Sequence, residues 1–204
     1  MLATAAVSAA QGPPDLRVTL PPRDSLGITG PWVRSRNVLA DRAVRELLNN
    51  GFPARLRYRV ELWTTAGWFN REVRAVEWDD VVRYDPMRKT FEAVRVRGDS
   101  VTPLGIFRQF AEAAAEVERP VRPVFRPASG PGRLYYNVTL TLEMLSVTDL
   151  DELQRWVRGD LQPAVRGQRN PGTALSRGAR TLLSRLLGGE QRTLDARSPR
   201  FRVP

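Results

Sequence analysis

The sequence predicts an α+β fold in which a mainly antiparallel β-sheet, a meander or a sandwich-like arrangement, is flanked by amphipathic helices. Residues 56–62 and 136–144 each alternate between apolar and polar side chains, which is typical of strands with one buried and one solvated face. Residues 102–117 instead carry apolar side chains at helical spacing. At 204 residues, of which 42% are hydrophobic, the chain has enough apolar side chains for one sizeable core.

The first half of the chain predicts a strand, a helix and a long strand. A short edge strand is expected over residues 16–20, where it meets two prolines. A helix is expected from Asn37, as its N-cap, to Asn49, with Gly51 as the stop. The strand over residues 55–63 should bury its aliphatic and tyrosine side chains and leave its arginines in water.

A hairpin follows this strand. Its first arm covers residues 71–84 and places Val76, Trp78, Val82 and Tyr84 on one face. Asp80 interrupts that face, so a bulge or bend is expected there. The second arm covers residues 90–98, after a turn led by Asp85.

The second half predicts a helix over residues 102–117, a proline-rich connector, a strand over 134–145 and a short helix over 148–157. The resulting domain plan has five parts. In chain order they are a truncated signal peptide or disordered tail (1–14), a single α+β domain (15–158), a linker (159–172), a basic amphipathic helix (173–189) and a disordered tail (190–204).

The composition excludes several kinds of chemistry. The chain has no cysteine and no histidine, which rules out disulfides, thiolate nucleophiles, Cys/His zinc sites and mechanisms that use a histidine base. No glycine-rich loop has the lysine and the strand–loop–helix context of a phosphate-binding motif. We therefore expect no catalytic, cofactor-binding or metal-binding residues and no small-molecule substrate, and we expect the protein not to be an enzyme.

The positive charge is unevenly distributed. The net charge is +10, and Lys89 is the only lysine among the 32 basic residues. A GC-rich genome accounts for the preference for arginine. Residues 155–204 hold eleven arginines against three acidic residues, which leaves a nearly neutral body and a strongly basic C-terminal part.

The uncharged start of the chain indicates export. Residues 2–7 resemble a short apolar signal region, and small residues precede possible cleavage sites before Ala10 or Gln11. No basic region comes first, which a start codon placed inside the true signal would explain. The alternative is a disordered or helical tail of a cytoplasmic protein.

The order of elements resembles a known bacterial family. A helix ending in NNGFP, the strand LRYRVELW, the turn AGWFN, the hairpin VVRYDPMRKTFEAV and the strand YYNVTLTLEM are together similar to domain of unknown function 4390 (DUF4390), over about residues 15–153. The resemblance implies an N-terminal signal or membrane anchor and this hairpin topology. It carries no established activity and no site residue.

Two clusters are candidate sites in the body of the chain. Glu77 and Asp79 share one strand face about 7 Å apart, a spacing within the range of inverting glycosidases, or else they are solvated and oppose Arg95 or Arg97. The second cluster is a possible aromatic platform for a ligand or partner, or else the closed end of the core. Its residues are Trp63, Trp68 and Phe69.

The predicted C-terminal helix is a possible membrane or partner contact. Its leucines fall on one arc of a helical wheel and its arginines outside that arc. The residues of this contact are Arg177, Arg180, Leu182, Arg185 and Leu186. The alternative is that the leucine face covers an open face of the sheet.

These observations favour a non-enzymatic exported module of the cell envelope, periplasmic or envelope-associated, that binds an envelope protein or an anionic membrane surface. The alternative is a cytoplasmic nucleic-acid-binding protein that uses the arginine-rich C-terminal part. Aromatic residues are not interleaved with those arginines along the sequence, which counts against nucleic acid. A hydrolase using Glu77 and Asp79 is a third possibility.

Overall fold

Six antiparallel strands form the main sheet of the protein. The computed structural model describes residues 12–66, 69–124, 132–145 and 192–203. In chain order the elements are β1 (Asp15–Thr19), a 3-10 turn (Arg23–Ser25), β2 (Trp32–Arg36), α1 (Arg42–Asn49), β3 (Ala54–Ala66), β4 (Phe69–Asp85), β5 (Thr90–Arg97), β6 (Ser100–Phe107), α2 (Phe110–Val117), β7 (Arg133–Met144) and β8 (Arg192–Arg197).

Strand β3 lies at the centre of the sheet, whose order is β6-β5-β4-β3-β7-β8. Tyr58 of β3 is opposite Trp78 of β4 on one side and Leu140 of β7 on the other. The apolar face of β3 is buried, as is that of β7 from Leu134 to Met144. The predicted faces of these two strands are therefore confirmed, and the strands are direct neighbours.

A second layer covers one face of this sheet, which we call the inner face. It consists of the β1–β2 hairpin and the two helices, whose buried apolar side chains join those of the sheet in one core. The charged and polar positions of β3, β4 and β7 form the opposite, outer face. The mainly antiparallel α+β fold that the sequence predicts is confirmed.

The predicted helix over residues 102–117 is wrong in its first half. Residues Ser100–Phe107 form strand β6, and only Phe110–Val117 are helical. Pro103 and Gly105 explain the difference, because both disfavour a helix interior whereas an edge strand tolerates a proline. Gly105 has a φ of +154°, and a Cβ there would lie 2.6 Å from the Phe107 ring.

Two further details differ from the sequence prediction. Helix α1 begins at Arg42 rather than near Asn37, because the Asp41 side chain caps it by accepting the Ala43 N–H at 2.7 Å. Asn37 itself has a φ of 55° and lies in the preceding turn. No bulge occurs at Asp80; β4 shifts register with β3 between Leu62 and Trp63.

The C-terminal residues complete the sheet, so the predicted disordered tail over 190–204 is wrong for residues 192–203. Strand β8 pairs with β7, and Phe201 forms an isolated bridge with Leu134. Leu194, Ala196 and Phe201 supply apolar contacts to the core, which explains why this arginine-rich stretch folds. The predicted linker (159–172) and amphipathic helix (173–189) lie outside the described residues.

Candidate functional site

Alternating arginines and carboxylates form ion pairs across the outer face. Arg55 donates to Glu143 of β7 at 2.6 Å, and Arg57 donates to Asp79 of β4 at 3.2 Å. Arg59 contacts Glu61, Glu72 and Glu77. Cross-strand opposite charges support strand pairing, so this centre of the face has a structural role.

The two acids of the predicted hydrolase site are both engaged in these pairs. Asp79 accepts from Arg57 and lies 3.8 Å from Arg55, while Glu77 accepts from Arg59. The expected arginine partners on the following strand are therefore wrong, because the pairs come from β3. Each acid therefore has at least one carboxylate oxygen in an ion pair with an arginine of β3.

Glu61 joins the ion pairs to the aromatic end of the outer face. Its carboxylate accepts the Arg59 guanidinium at 2.6 Å, the Trp63 indole N–H at 2.9 Å and the Asn137 amide at 3.4 Å. Partial burial opposes ionisation, but these donors outweigh it and hold the pKa of Glu61 below 4.5. Glu61 thereby fixes the orientation of Trp63.

Trp63, Tyr135 and Arg197 form a row across β3, β7 and β8. The rings of Trp63 and Tyr135 are stacked, with centroids 6.5 Å apart, and the Arg197 guanidinium lies 4.8 Å from the centre of the Tyr135 ring. Tyr135 is only 4% exposed, whereas Arg197 is exposed. The stack therefore presents a cation, with the tyrosine as its support.

More arginines surround this row, at the end of the sheet where β3 ends and β7 begins. We call this region, formed by residues 20–32, 121–124, 132–135 and 197–203, the arginine end. It contains Arg23 beside its one acid, Asp24, and five further arginines, Arg122, Arg133, Arg197, Arg200 and Arg202; of these five, all but the half-buried Arg122 are exposed. None of the five lies within 4.0 Å of a carboxylate of the described residues. The arginine end therefore carries positive charge that the described part of the protein does not neutralise.

The inner face holds an ion pair of a different kind. Arg95 donates two hydrogen bonds to the Asp80 carboxylate, at 2.6 and 2.7 Å, and Asp80 is fully buried. Burial raises the pKa of Asp80 despite the opposing effect of Arg95. We assign this pair, in which Asp80 has no exposed surface, to the core.

A cavity of about 260 Å³ lies where β8 begins, far from the arginine end along the sheet. It is lined by Pro14, Val38, Leu140, Leu142, Arg192, Thr193 and Leu194. Its one charged lining residue, Arg192, donates to Asp41 at 2.5 Å. The cavity therefore offers apolar contact and little polar recognition.

The other predicted site residues have different outcomes. Trp63 is half-buried on the outer face, whereas Trp68 and the side chain of Phe69 lie outside the described residues. The predicted contact residues Arg177, Arg180, Leu182, Arg185 and Leu186 also lie outside them. The platform and the C-terminal contact therefore stay predictions.

Sequence reasoning missed Tyr135 and the arginines of residues 197–202. Tyr135 shares the outer-face parity of its strand, and it pairs directly with Trp63. The alternation of Leu194 and Ala196 was the signal that residues 192–197 form a strand and bring Arg197 beside that pair. Because this segment is rich in arginine, the sequence predicted a disordered tail there.

Within the described ranges, no group of three or more Asp and Glu side chains is arranged to hold a metal ion. In the same part of the chain, no helix combines the length and apolar character needed to cross a bilayer.

Comparison with known proteins adds no relative. No protein-family model, no curated protein and no solved structure matches this chain. The resemblance to domain of unknown function 4390 therefore stays a prediction that rests on the motifs quoted above.

Proposed function

We propose that this protein is a non-enzymatic module of the cell envelope that binds an anionic partner at its arginine end. The observation that carries the proposal is the contrast between the two parts of the outer face. Its central arginines are paired with carboxylates, whereas Arg133, Arg197, Arg200 and Arg202 have no described acidic partner. Exposed cations without acidic partners favour association with a negatively charged surface.

The assignment to the envelope rests on the sequence. The signal-like residues 2–10 and the family resemblance both favour export. Mass spectrometry of the protein from its native cells tests this directly: a mature N-terminus at Ala10 or Gln11 supports export, and an intact Met1 contradicts it.

Chromatography on immobilised heparin, a soluble polyanion, tests the binding site. The test variant combines Arg133→Gln, Arg197→Gln and Arg200→Gln. The control combines Arg17→Gln, Arg42→Gln and Arg119→Gln, which are also exposed but paired with acids. Each triple variant lowers the net charge equally.

We expect the test variant to elute at clearly lower salt, with the slope of log affinity against log salt smaller by about two to three, and the control to stay near wild type. Equal shifts in the two variants would show that net charge, and not the arginine end, governs binding.

One observation favours the second candidate, a cytoplasmic nucleic-acid-binding protein. The fold brings Arg197 onto Tyr135 beside Trp63, an aromatic–arginine arrangement that the sequence order had hidden. Binding of single-stranded oligonucleotides that is lost in the test variant, together with an intact Met1, would favour this candidate over the envelope module.

A further inference from the structure

Exposed apolar side chains gather at the arginine end. Ile28 is 68% exposed, Trp32 42% and Val124 82%. Of the other large exposed apolar residues of the described chain, Met87 lies in the β4–β5 turn, Ile106 on the β6 edge, and Val73 on β4 where its register with β3 shifts beside Trp63. Exposed apolar residues grouped at one end of a fold indicate an interaction surface, whereas single scattered ones do not.

The structure shows why these three residues lie at the same end. Trp32 begins β2, opposite Thr19, the last residue of β1. Val33 bridges Val121, so residues 122–124 run past Trp32, and the Arg122 guanidinium lies 4.7 Å from its ring centre.

The loop that carries Ile28 meets the C-terminal residues on its other side. A Cβ at Gly27 would lie 2.8 Å from the Val203 side chain, beside Arg202. This contact places the loop that carries Ile28 next to the C-terminal residues that include Arg200 and Arg202.

Charge distinguishes this end from the opposite end of the sheet. Arg122, Arg133, Arg200 and Arg202 have no described carboxylate partner, and Arg23 is adjacent to the one acid in the loop, Asp24. At the opposite end the arginines of β3, β4 and β8 are paired: Arg55 with Glu143, Arg83 with Glu92, and Arg192 with Asp41.

We propose that the arginine end docks on the surface of a bilayer rich in anionic phospholipids. Ile28, Trp32 and Val124 enter the boundary between head groups and acyl chains, and the arginines contact lipid phosphates. This inference rests on the proposed function and names its partner. A bilayer fits better than a soluble polyanion such as heparin, because a bilayer offers apolar contact beside negative charge and the polysaccharide does not.

Nucleic acid fits the geometry less well. Base stacking needs open aromatic faces, but Tyr135 is covered by Trp63 and Arg197, and one face of Trp32 is covered by Arg122. Membrane insertion of Trp32 needs only its exposed edge and the apolar neighbours.

Co-sedimentation with vesicles tests the proposal. The full chain is mixed with vesicles of phosphatidylcholine alone and with an equimolar mixture of phosphatidylcholine and phosphatidylglycerol. The apolar double variant combines Ile28→Ser and Val124→Ser. Its matched control combines Met87→Ser and Ile106→Ser, at residues whose exposed fractions are 91% and 64%. Thermal melts confirm that both variants fold.

We expect wild type to bind the mixed vesicles and not the neutral ones, with affinity that falls as salt rises. The apolar double variant should bind mixed vesicles about tenfold more weakly, since two partly inserted side chains are lost. The affinity of its control should change by less than about twofold. Equal losses in the apolar double variant and its control, or no binding to mixed vesicles, would overturn the proposal.

The outcomes separate this inference from the proposed function. The protein could be retained on heparin through the arginine end and yet fail to bind vesicles. That result supports the proposed function and contradicts the membrane proposal. Binding of single-stranded oligonucleotides in place of vesicles also contradicts it. As a second readout, vesicles with brominated acyl chains should quench tryptophan fluorescence in wild type and clearly less in Trp32→Phe.

Discussion

Arg95 holds the Asp80 carboxylate with two parallel hydrogen bonds on the inner face of the sheet. The two residues are directly opposite each other on β5 and β4. Asp80 has no exposed surface, and the Arg95 side chain is 14% exposed. A pair desolvated to this degree matters because removal of one partner leaves a buried charge without compensation.

Asp80→Asn should therefore lower the free energy of unfolding by about 3–5 kcal/mol, because the Arg95 charge stays buried. Asp15→Asn, at an exposed ion pair with Arg17, should cost less than about 1 kcal/mol. Urea denaturation of the three proteins measures both changes. The double variant Asp80→Leu/Arg95→Met should be more stable than Asp80→Asn, and a comparable loss in both would show that the pair itself is not responsible.

Tyr58 links the ring stack of the core to the second layer. Its ring stacks on Trp78 with centroids 4.8 Å apart, and its hydroxyl is 2.8 Å from the Ser35 Oγ of β2. Tyr58→Phe keeps the stack and loses the hydrogen bond, so it should cost about 1 kcal/mol, whereas Tyr58→Ala should cost about 3–5 kcal/mol. Chemical denaturation checks the difference; two equal losses would contradict the assigned role of the ring.

Lowering the pH should weaken the contact between β8 and the start of helix α1. The Arg192 hydrogen bond, against a smaller effect of burial, lowers the pKa of Asp41 from 3.8, and the Ala43 N–H lowers it further. A carboxylate with a lowered folded-state pKa stabilises the protein above 3.8 and loses this contribution as pH falls through the folded-state value.

Asp41→Asn keeps the helix cap and removes the charge, so it isolates this effect. We expect it to cost up to about 1 kcal/mol at neutral pH, with the difference from wild type shrinking below about pH 4. Thermal unfolding over a pH series measures it. If Arg192→Gln did not reproduce the pH dependence, the ion pair would not be its source.

The C-terminal strand can be tested with a single core residue. Phe201 is 6% exposed and stacks on Tyr136 with centroids 5.4 Å apart. Phe201→Ala should lower the free energy of unfolding by about 3–5 kcal/mol, whereas the neighbouring exposed Arg202→Ala should change it by less than about 0.5 kcal/mol. A neutral Phe201→Ala would support the disordered tail that the sequence predicted.

The strands with long alternation were predictable from the sequence. The patterns around Tyr58 and Leu140 are strict, because a one-residue slip would expose the whole apolar face of each strand. Helix α1 was predicted in its body and misplaced at its start, because Asn37 and Asp41 are both suitable N-caps. Strand β6 was missed because its apolar residues also fit a helical period.

The candidate site was much less predictable. Arg197 and Tyr135 are 62 residues apart in the sequence, and only the pairing of β7 with β8 brings them together. The Asp80–Arg95 pair also depends on strand register, which the sequence alone does not give. For that reason the sequence pattern predicted a bulge or bend at Asp80. Trp63 lies on the face of the β3 arginines, because it shares their parity in a single strand.

Hydrogen–deuterium exchange with and without a heparin oligosaccharide most directly tests whether the arginine end is the binding site. Our account predicts slower exchange in peptides covering residues 132–136 and 197–203, and little change in the α1 peptide 42–49. The result that would contradict it is protection confined to residues 173–189, or no protection at residues 197–203 under conditions in which the protein binds.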